Sequence, residues 1–474
     1  MKKFLIILAV AVVAVAGGAY YFLYGKGDVC KNVIPEDAKA VMVFDAKEAV
    51  KQMDFSISDI IDFLKQRGDD EKKVEGIDFL APAYGFVSND NYLCGVLALS
   101  DADAFEKSVT SEKVKVESQR GFKWLYTSDV LACFDSKKAL LMLPVSKGES
   151  DGMRGKMVEW MNQGSHEVPL LSSALDNDGV VLLRTCLGAI PTTYQSMFKS
   201  GNVDLNKIFL NVAFNIKEKA FQLSAKLESE DEEYNKLVSE WGNYNRPIQG
   251  KLLQTPYENP LVYAVFNMDG ETIYNKLSQN PQTSTVLSMM NVYCNTGMML
   301  QAIDGDVSVA IDEISDGPSK YYITAHVKNK DFMKGAEEWG DKLGFLGIQC
   351  HQVEGDNYML TAKNLTNYLG VRDESLYFAS DYDVAKNGGK FSSLKDGASL
   401  ESQAEGKLFY LSLNIDKLGE SPLLKSQLVS QDQVKEILGY LDRLNVSMDK
   451  NKNAVIELTT KQKIIDILKM NMKK

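Results

Sequence analysis

The hydrophobic and polar positions of the chain form short strand-like segments that alternate with helix-like segments. In residues 54–66, four apolar side chains recur at the spacing of one helical face: Ile57, Ile60, Ile61 and Leu64. The segment therefore predicts an amphipathic helix. Helices of this kind must pack their apolar face on another layer of the fold.

Two longer segments predict β-hairpins. Residues 207–229 form two apolar strands on either side of the polar turn 217–219, and residues 444–460 repeat the pattern with 449–453 as the turn. Short turns join antiparallel strands. With helices packed on such sheets, the pattern predicts the α+β class rather than a parallel α/β fold.

An internal repeat organises these elements. The segment AVMVFDAKEAVKQM begins at Ala40, and LVYAVFNMDGETIYNKL begins at Leu261; each predicts an apolar strand, then Asp or Asn, then an amphipathic helix. Further matched positions keep the same order along the chain: Phe44 with Phe266, Ile77-Asp78 with Ile303-Asp304, Phe105 with Phe332, Asp135 with Asp373, Leu182 with Tyr410, and Leu210-Asn211-Val212 with Leu444-Asn445-Val446. The repeat predicts two tandem copies of one mostly antiparallel sheet-plus-helices unit.

A Pro-rich segment predicts the boundary between the copies. Copy one extends over residues 32–245, a linker over 246–260, and copy two over 255–474. The linker contains Pro247, Pro256 and Pro260 among Gly and Asn residues, which favour turns over regular structure.

The first 25 residues predict a membrane anchor. Phe4 to Leu23 carry no charge, and a helix of this length spans the ~30 Å of bilayer hydrocarbon. Lys2 and Lys3 precede the segment, and positive charge favours the cytoplasmic side. We expect a single-pass protein of a bacterial inner or cell membrane, with its bulk outside the cytoplasm.

Two other fates of this segment remain open. Ala14-Val15-Ala16 fits a signal-peptidase site, which would release a secreted protein. Cys30 offers a position for lipid attachment, although Gly27-Asp28-Val29 before it is not the small apolar run that such processing follows. Because apolar residues continue through Leu23, the uncleaved anchor is favoured.

Composition and charge exclude some partners. The chain is 45% hydrophobic and 25% charged, which is typical of globular protein, and its formal net charge is -11. An acidic surface is repelled by phosphate backbones, so nucleic acid is not an expected partner.

One segment matches a catalytic motif. Gly148 to Gly152 (GESDG) fits the G-x-S-x-G nucleophile elbow, with Ser150 as the nucleophile. A base would have to be one of the three histidines, His166, His326 or His351, and no His-Gly-Gly oxyanion segment occurs. We favour a strand-to-helix turn in which Ser150 or Asp151 caps the helix.

The sequence contains no motif that predicts cofactor binding or redox chemistry. The six cysteines lack any C-x-x-C spacing, and Cys94, Cys133 and Cys186 lie in apolar strands, which favours free buried thiols. No G-x-G-x-x-G or P-loop occurs, and no His-Glu-x-x-His metal set. We therefore assign no catalytic, cofactor-binding or metal-binding residue and expect no cofactor.

Two further features have a functional and a structural interpretation. Asp45 and Asn267 lie at the ends of strands that the repeat matches. One interpretation is a repeated polar site; we favour the other, in which both residues cap the helices that follow. Residues 285–300 contain four methionines that could line an apolar groove: Met289, Met290, Met298 and Met299. The favoured interpretation is a buried helix face.

The start of copy one carries a family resemblance. The anchor followed by IPEDAKAVMVFDAKEAVKQM, from Ile34 to Met53, resembles an uncharacterised family of bacterial envelope-anchored proteins classed as a domain of unknown function. The resemblance implies a long repeated α+β body, and it carries over no activity or catalytic residue. This chain departs from lipoprotein members because it has no convincing lipid-attachment motif.

Together these observations predict a non-enzymatic binding or scaffolding protein of the bacterial cell envelope. Its expected partners are the membrane, through Phe4–Leu23, and another envelope protein or a small ligand. One alternative is a serine hydrolase that uses Ser150. The other is a carrier of an apolar ligand with Met298 in its lining.

Overall fold

The computed structural model of the protein describes most of the chain. The described residues are 30–53, 74–111, 114–127, 130–146, 148–195, 202–242, 245–252, 255–314, 319–363, 365–388, 400–420 and 438–472. The predicted anchor and the predicted helix at 54–66 lie outside them. Within these ranges, no helix is both long and apolar enough to cross a bilayer.

The chain folds into two compact units. Unit 1 comprises residues up to Glu233 together with Gln462–Lys474, and unit 2 comprises Tyr234–Lys461.

Unit 1 contains a sheet in which every pairing is antiparallel. Its strands are β1 (Ala40–Phe44), β2 (Ala83–Val87), β3 (Leu93–Ala98), β4 (Glu117–Gln119), β5 (Phe122–Thr127), β6 (Val130–Phe134), β7 (Lys138–Leu143), β8 (Val181–Cys186), β9 (Ile208–Lys217) and β10 (Ala220–Ser229). Their order across the sheet is β10-β9-β8-β1-β2-β3-β7-β6-β5-β4.

Unit 2 also contains an antiparallel sheet. Its strands are β11 (Asn245–Arg246), β12 (Val262–Asp269), β13 (Ile303–Glu313), β14 (Lys320–Val327), β15 (Ile348–Glu354), β16 (Asn357–Ala362), β17 (Leu365–Arg372), β18 (Ser375–Ala379), β19 (Phe409–Asn414), β20 (Leu441–Met448) and β21 (Ala454–Thr460). The order is β21-β20-β19-β12-β13-β14-β18-β17-β16-β15, with the short β11 beside the end of β12. Apart from β11, this is the order found in unit 1.

Helices occupy the connections between strands. In unit 1 they are α1 (Ala46–Met53), α2 (Ala102–Val109), α3 (Ser150–Met161), α4 (Pro169–Leu175), α5 (Thr192–Gln195) and, at the end of the chain, α14 (Ile464–Met472). In unit 2 they are α6 (Glu232–Gly242, which begins just before the unit), α7 (Gly270–Gln279), α8 (Pro281–Tyr293), α9 (Thr296–Ala302), α10 (Trp339–Gly344), α11 (Tyr382–Asn387), α12 (Leu400–Ala404) and α13 (Ile415–Glu420). Sheets with helices of this kind confirm the predicted α+β class.

Alternation along the strands determines where the core of unit 1 lies. In β1, Val41 and Val43 are buried while Met42 between them is exposed. The buried face contributes to one large apolar cluster, which α3 and α4 complete with side chains such as Trp160 and Leu171. This cluster forms the main core of unit 1.

Unit 2 has several smaller cores. One contains Phe332 and Trp339, the first residue of α10, and both side chains are almost fully buried. Another places Tyr263 and Tyr410 edge to face, with ring centroids 6.4 Å apart. The two predicted hairpins are confirmed: β9 and β10 are joined at Glu218–Lys219, and β20 and β21 are joined through residues 449–453.

The compact units divide at different residues from those predicted for the two copies. The segment after β11 is held on the unit 2 sheet because the buried Asp306 carboxylate accepts hydrogen bonds from the Gln249 and Lys251 main-chain N–H groups, at 2.9 and 3.0 Å. Part of the predicted linker therefore belongs to unit 2. The last helix, α14, belongs to unit 1.

Candidate functional site

Ser150 is the first residue of α3, and Glu149 before it occupies the N-cap position. The Glu149 carboxylate accepts hydrogen bonds from the Ser146 hydroxyl at 2.6 Å and main-chain N–H at 3.2 Å, and these bonds hold the pKa of Glu149 below its usual range. The prediction that Ser150 or Asp151 is the cap of this helix is wrong, because Glu149 occupies the N-cap position. The segment nevertheless forms a helix-starting turn, as the favoured interpretation expected.

Two of the three histidines contact main-chain carbonyl oxygens. His166, the one histidine in unit 1, has Nε2 2.9 Å from the Ile34 carbonyl oxygen and Nδ1 3.0 Å from the Gly164 carbonyl oxygen. In unit 2, His326 Nδ1 lies 2.6 Å from the Asp304 carbonyl oxygen, and His351 is exposed on β15. This geometry gives no support to a Ser–His pair at Ser150.

All six cysteines lie in the described residues, and none forms a disulfide. Cys94 and Cys133 are buried, as predicted, and burial raises the pKa of both, that of Cys133 to about 12. Cys186 is only half-buried. Within the described residues, no group of His, Cys, Asp and Glu side chains is arranged to hold a metal ion.

The equivalent residues Asp45 and Asn267 have different roles. Asp45 Oδ1 accepts a hydrogen bond from the Glu48 main-chain N–H at 3.1 Å, so Asp45 caps α1 as predicted. For Asn267 the prediction of a cap is wrong, because its amide donates to Asp306 at 2.8 Å and accepts from Arg246 at 3.0 Å. The cap of α7 is Asp269, two residues later, which accepts from the Thr272 main-chain N–H at 3.1 Å.

The methionine-rich segment forms an exposed surface. Helix α8 begins with Pro281 behind the cap Asn280, whose side chain accepts from the Gln282 main-chain N–H at 3.0 Å. None of its residues is buried, and Met289 and Val292 are 61% and 66% exposed. The favoured interpretation of a buried helix face is therefore wrong for most of these side chains.

The C-terminal end of this helix is fixed on a core. Tyr293 and Cys294 pack against the cluster that contains Trp339 and Leu343 of α10. Asn295 follows, and its side-chain amide donates to the Phe332 and Lys334 carbonyl oxygens, both at 3.0 Å. The helix is thus held in place while its apolar side chains remain exposed.

A second exposed element follows α10. Phe345 and Leu346 lie in a turn between Gly344 and Gly347, and Phe345 is 88% exposed. Gly347 has φ +74°, a conformation that glycine adopts without strain. Leu343, just before the turn, is buried in the same core against which the end of α8 packs. The turn and the end of α8 are therefore both attached to that core.

We call these side chains the apolar surface of unit 2: Val286, Met289, Met290, Val292, Met298, Phe345 and Leu346. No charged residue occurs from Leu277 to Ile303, although a quarter of the chain is charged. Exposed apolar groups without interspersed charge mark sites of interaction with a protein or a membrane. The sequence shows the missing charge, but it does not show the exposure, which depends on what the helix packs against.

Comparisons with known proteins identify a family but no activity. No curated protein matches the chain. Three crystal forms of TP0453, forms IV, I and III, are similar in structure, with TM-scores of 0.27, identities of 10–12%, and coverage of 41–46% of this chain and 79–87% of theirs. A likeness at this level carries no argument about function. A family model described as a domain of unknown function matches residues 70–464, which is most of the chain, and the protein therefore belongs to the DUF4836 family.

Proposed function

We propose that the protein is a binding or scaffolding protein of the cell envelope, without catalytic activity, in which the apolar surface of unit 2 contacts a partner. The carrying observation is the exposure of Met289 and Val292 on the charge-free helix α8, together with the exposure of Phe345 in the turn after α10. Burying one large apolar side chain contributes about 1.5–3 kcal/mol, so leaving several exposed has a cost unless a partner covers them. The side chains that define this surface include no nucleophile, base or metal-binding carboxylate, which favours binding over catalysis.

The body of the protein, in this proposal, arose by duplication. The equal strand order supports it, and so does the register. Phe44 faces Val181 on β8, and Phe266 faces Phe409 on β19; Val181 and Phe409 directly precede Leu182 and Tyr410, which the sequence matched. Strand register specifies which face of the sheet each side chain occupies, so matching register requires more than a shared order.

Two strands away the register still matches. Val212 faces Leu183 in unit 1, and Val446 faces Leu411 in unit 2, which supports the match of Val212 with Val446. Agreement at two separate strands favours duplication over chance similarity of strand-helix patterns.

The membrane location rests on the sequence of Phe4–Leu23. Fractionation of cells that express the full chain should place it in the membrane pellet after a carbonate wash, with Met1 retained. A mature N-terminus at Gly17 would show a cleaved signal instead, and a lipid-modified Cys30 would show the third alternative.

The binding role is tested by photo-crosslinking in the native envelope. A benzophenone amino acid replaces Val292 of the full chain, and the matched control carries it at Tyr194, a residue of unit 1 that is 58% exposed. We expect crosslinked adducts, to protein or lipid, from position 292 and none from position 194. Equal labelling at both positions, or none at either, would contradict a specific binding surface.

A further inference from the structure

The apolar surface of unit 2 has the properties of a lipid-contacting surface. We propose that it rests on a neutral lipid bilayer, with Phe345 inserted among the acyl chains and α8 lying in the interface. The inference rests on the proposed function, in which Phe4–Leu23 holds the protein at a membrane.

The first argument is the absence of charge. From Leu277 to Ile303 the chain contains only apolar and uncharged polar residues. A charged side chain is costly below the lipid head groups, whereas protein interfaces keep a polar rim around an apolar centre. A surface helix without any charge therefore fits a lipid partner better than a protein partner.

The second argument is shape. Phe345 is 88% exposed and stands in a turn between two glycines, while Leu343 before it is buried in the core. The ring projects from a turn that the core beneath Leu343 supports. A projecting ring finds an apolar environment directly in a bilayer, whereas a protein partner would have to provide a matching pocket.

The third argument concerns the charges that flank the surface. Lys342 pairs with Glu338 at 2.8 Å, and Lys334 pairs with Asp331 at 2.8 Å. Because these lysines are paired and the chain has a net charge of -11, electrostatic attraction to anionic lipids is not the driving force. The driving force is instead the insertion of apolar side chains into neutral lipid. The contact should therefore be insensitive to salt.

The experiment measures contact between position 345 and acyl chains. The full chain with Phe345→Trp is reconstituted in phosphatidylcholine vesicles, with and without bromine on the acyl chains. The matched control is Tyr194→Trp, and emission of the unsubstituted chain, whose Trp124 and Trp339 are buried, is subtracted. We expect bromine to quench emission from position 345 but not from position 194, equally at low and high salt.

A second variant guards against local rearrangement at the turn. Adding Val292→Glu to Phe345→Trp places a charge on α8, an exposed position where folding should not suffer. We expect this change to relieve much of the quenching while circular dichroism stays the same.

Each contrary result has a defined meaning. If the chain sediments with the vesicles but emission from position 345 is not quenched, the proposed lipid contact at Phe345 is contradicted. The proposed membrane attachment through Phe4–Leu23 is then kept. If the chain does not associate with vesicles, both the lipid contact and the proposed membrane location fall. Emission that shifts to the blue with protein concentration, without bromine quenching, would indicate a second copy as the partner and overturn the proposal.

Discussion

At the scale of single residues, burial and immediate neighbours decide the chemistry of the titratable side chains. Cys94 and Cys133 point into the core of unit 1, where the thiolate is disfavoured because it lacks hydration. Glu228 shows the opposite effect. The hydrogen bond from Arg184 Nη1, at 2.7 Å, lowers the pKa of Glu228 from 4.5 to about 2. Both kinds of shift lead to measurable behaviour.

Thiol reactivity should separate the cysteines. Because only the thiolate reacts, Cys94 and Cys133 should resist iodoacetamide at pH 8 in the native protein, whereas the half-buried Cys186 should react. Mass-spectrometric mapping provides the measurement, with protein unfolded in guanidinium as the control in which all cysteines react. Labelling of Cys133 in the native state at the unfolded rate would contradict the buried position.

The Arg184–Glu228 pair should make stability depend on pH. Since the folded pKa of Glu228 is lowered, its contribution is fully present above the unfolded value of 4.5 and is lost as pH falls toward about 2. We therefore expect Glu228→Gln to be less stable than the parent at pH 6, with the difference shrinking by pH 3. Urea unfolding at both pH values tests this, and a difference that is constant or grows on acidification would be the wrong sign.

At the scale of elements, side-chain caps determine where helices begin. Asp101 accepts hydrogen bonds from the Asp103 and Ala104 main-chain N–H groups, both at 3.0 Å, at the start of α2. Gly76 has φ +80° and packs against the same point, where a Cβ atom would lie 2.0 Å from the Asp101 carbonyl oxygen. The loop before β2 and the start of α2 are thus fitted to each other, and only glycine suits that contact.

Removal of the cap should destabilise unit 1 measurably. Asp101→Ala leaves two main-chain N–H groups without their partner, and we expect a loss of about 1 kcal/mol in the free energy of unfolding. Asp103→Ala, at an exposed position of the same helix, is the matched control and should change it by less than about 0.5 kcal/mol. Equal losses in the two variants by chemical denaturation would show that the cap bonds are not responsible.

At the scale of the whole molecule, the last helix, α14, packs within unit 1. The Ile464 main-chain N–H donates to the Glu218 carbonyl oxygen at 2.9 Å, and Lys463 Nζ lies 2.6 Å from the Glu218 carboxylate. Leu468 of α14 packs against the cluster that contains Ala49 and Met53 of α1. The last helix therefore covers the apolar residues Ala49 and Met53 of α1.

Deletion of residues 462–474 should accordingly weaken unit 1. We expect faster hydrogen exchange at the amides of α1 and of the β9–β10 turn, because the deletion uncovers Ala49 and Met53. The β15–β16 hairpin of unit 2 should keep its protection. Lys463→Ala removes the exposed ion pair with Glu218 and should have little effect. Loss of protection confined to unit 2 would contradict the assignment of α14 to unit 1.

The part of the fold that could be predicted is the part carried by local patterns. The hairpins at 207–229 and 444–460 have apolar strands that flank a short polar turn, and the structure places both turns as expected. The capping role of Asp45 is equally local, since the bond it makes reaches only to Glu48.

The sequence alone determined the α+β class and the hairpins, because each follows from the pattern of neighbouring residues. Only the tertiary structure decided that Asn267 binds Asp306 instead of capping a helix, and that α14 joins unit 1. It also decided that the methionine-rich helix α8 is exposed while Tyr293 at its end is packed. The physical reason is that burial depends on which distant elements meet, and an apolar helix has the same sequence pattern whether its face meets a core or remains exposed for a partner.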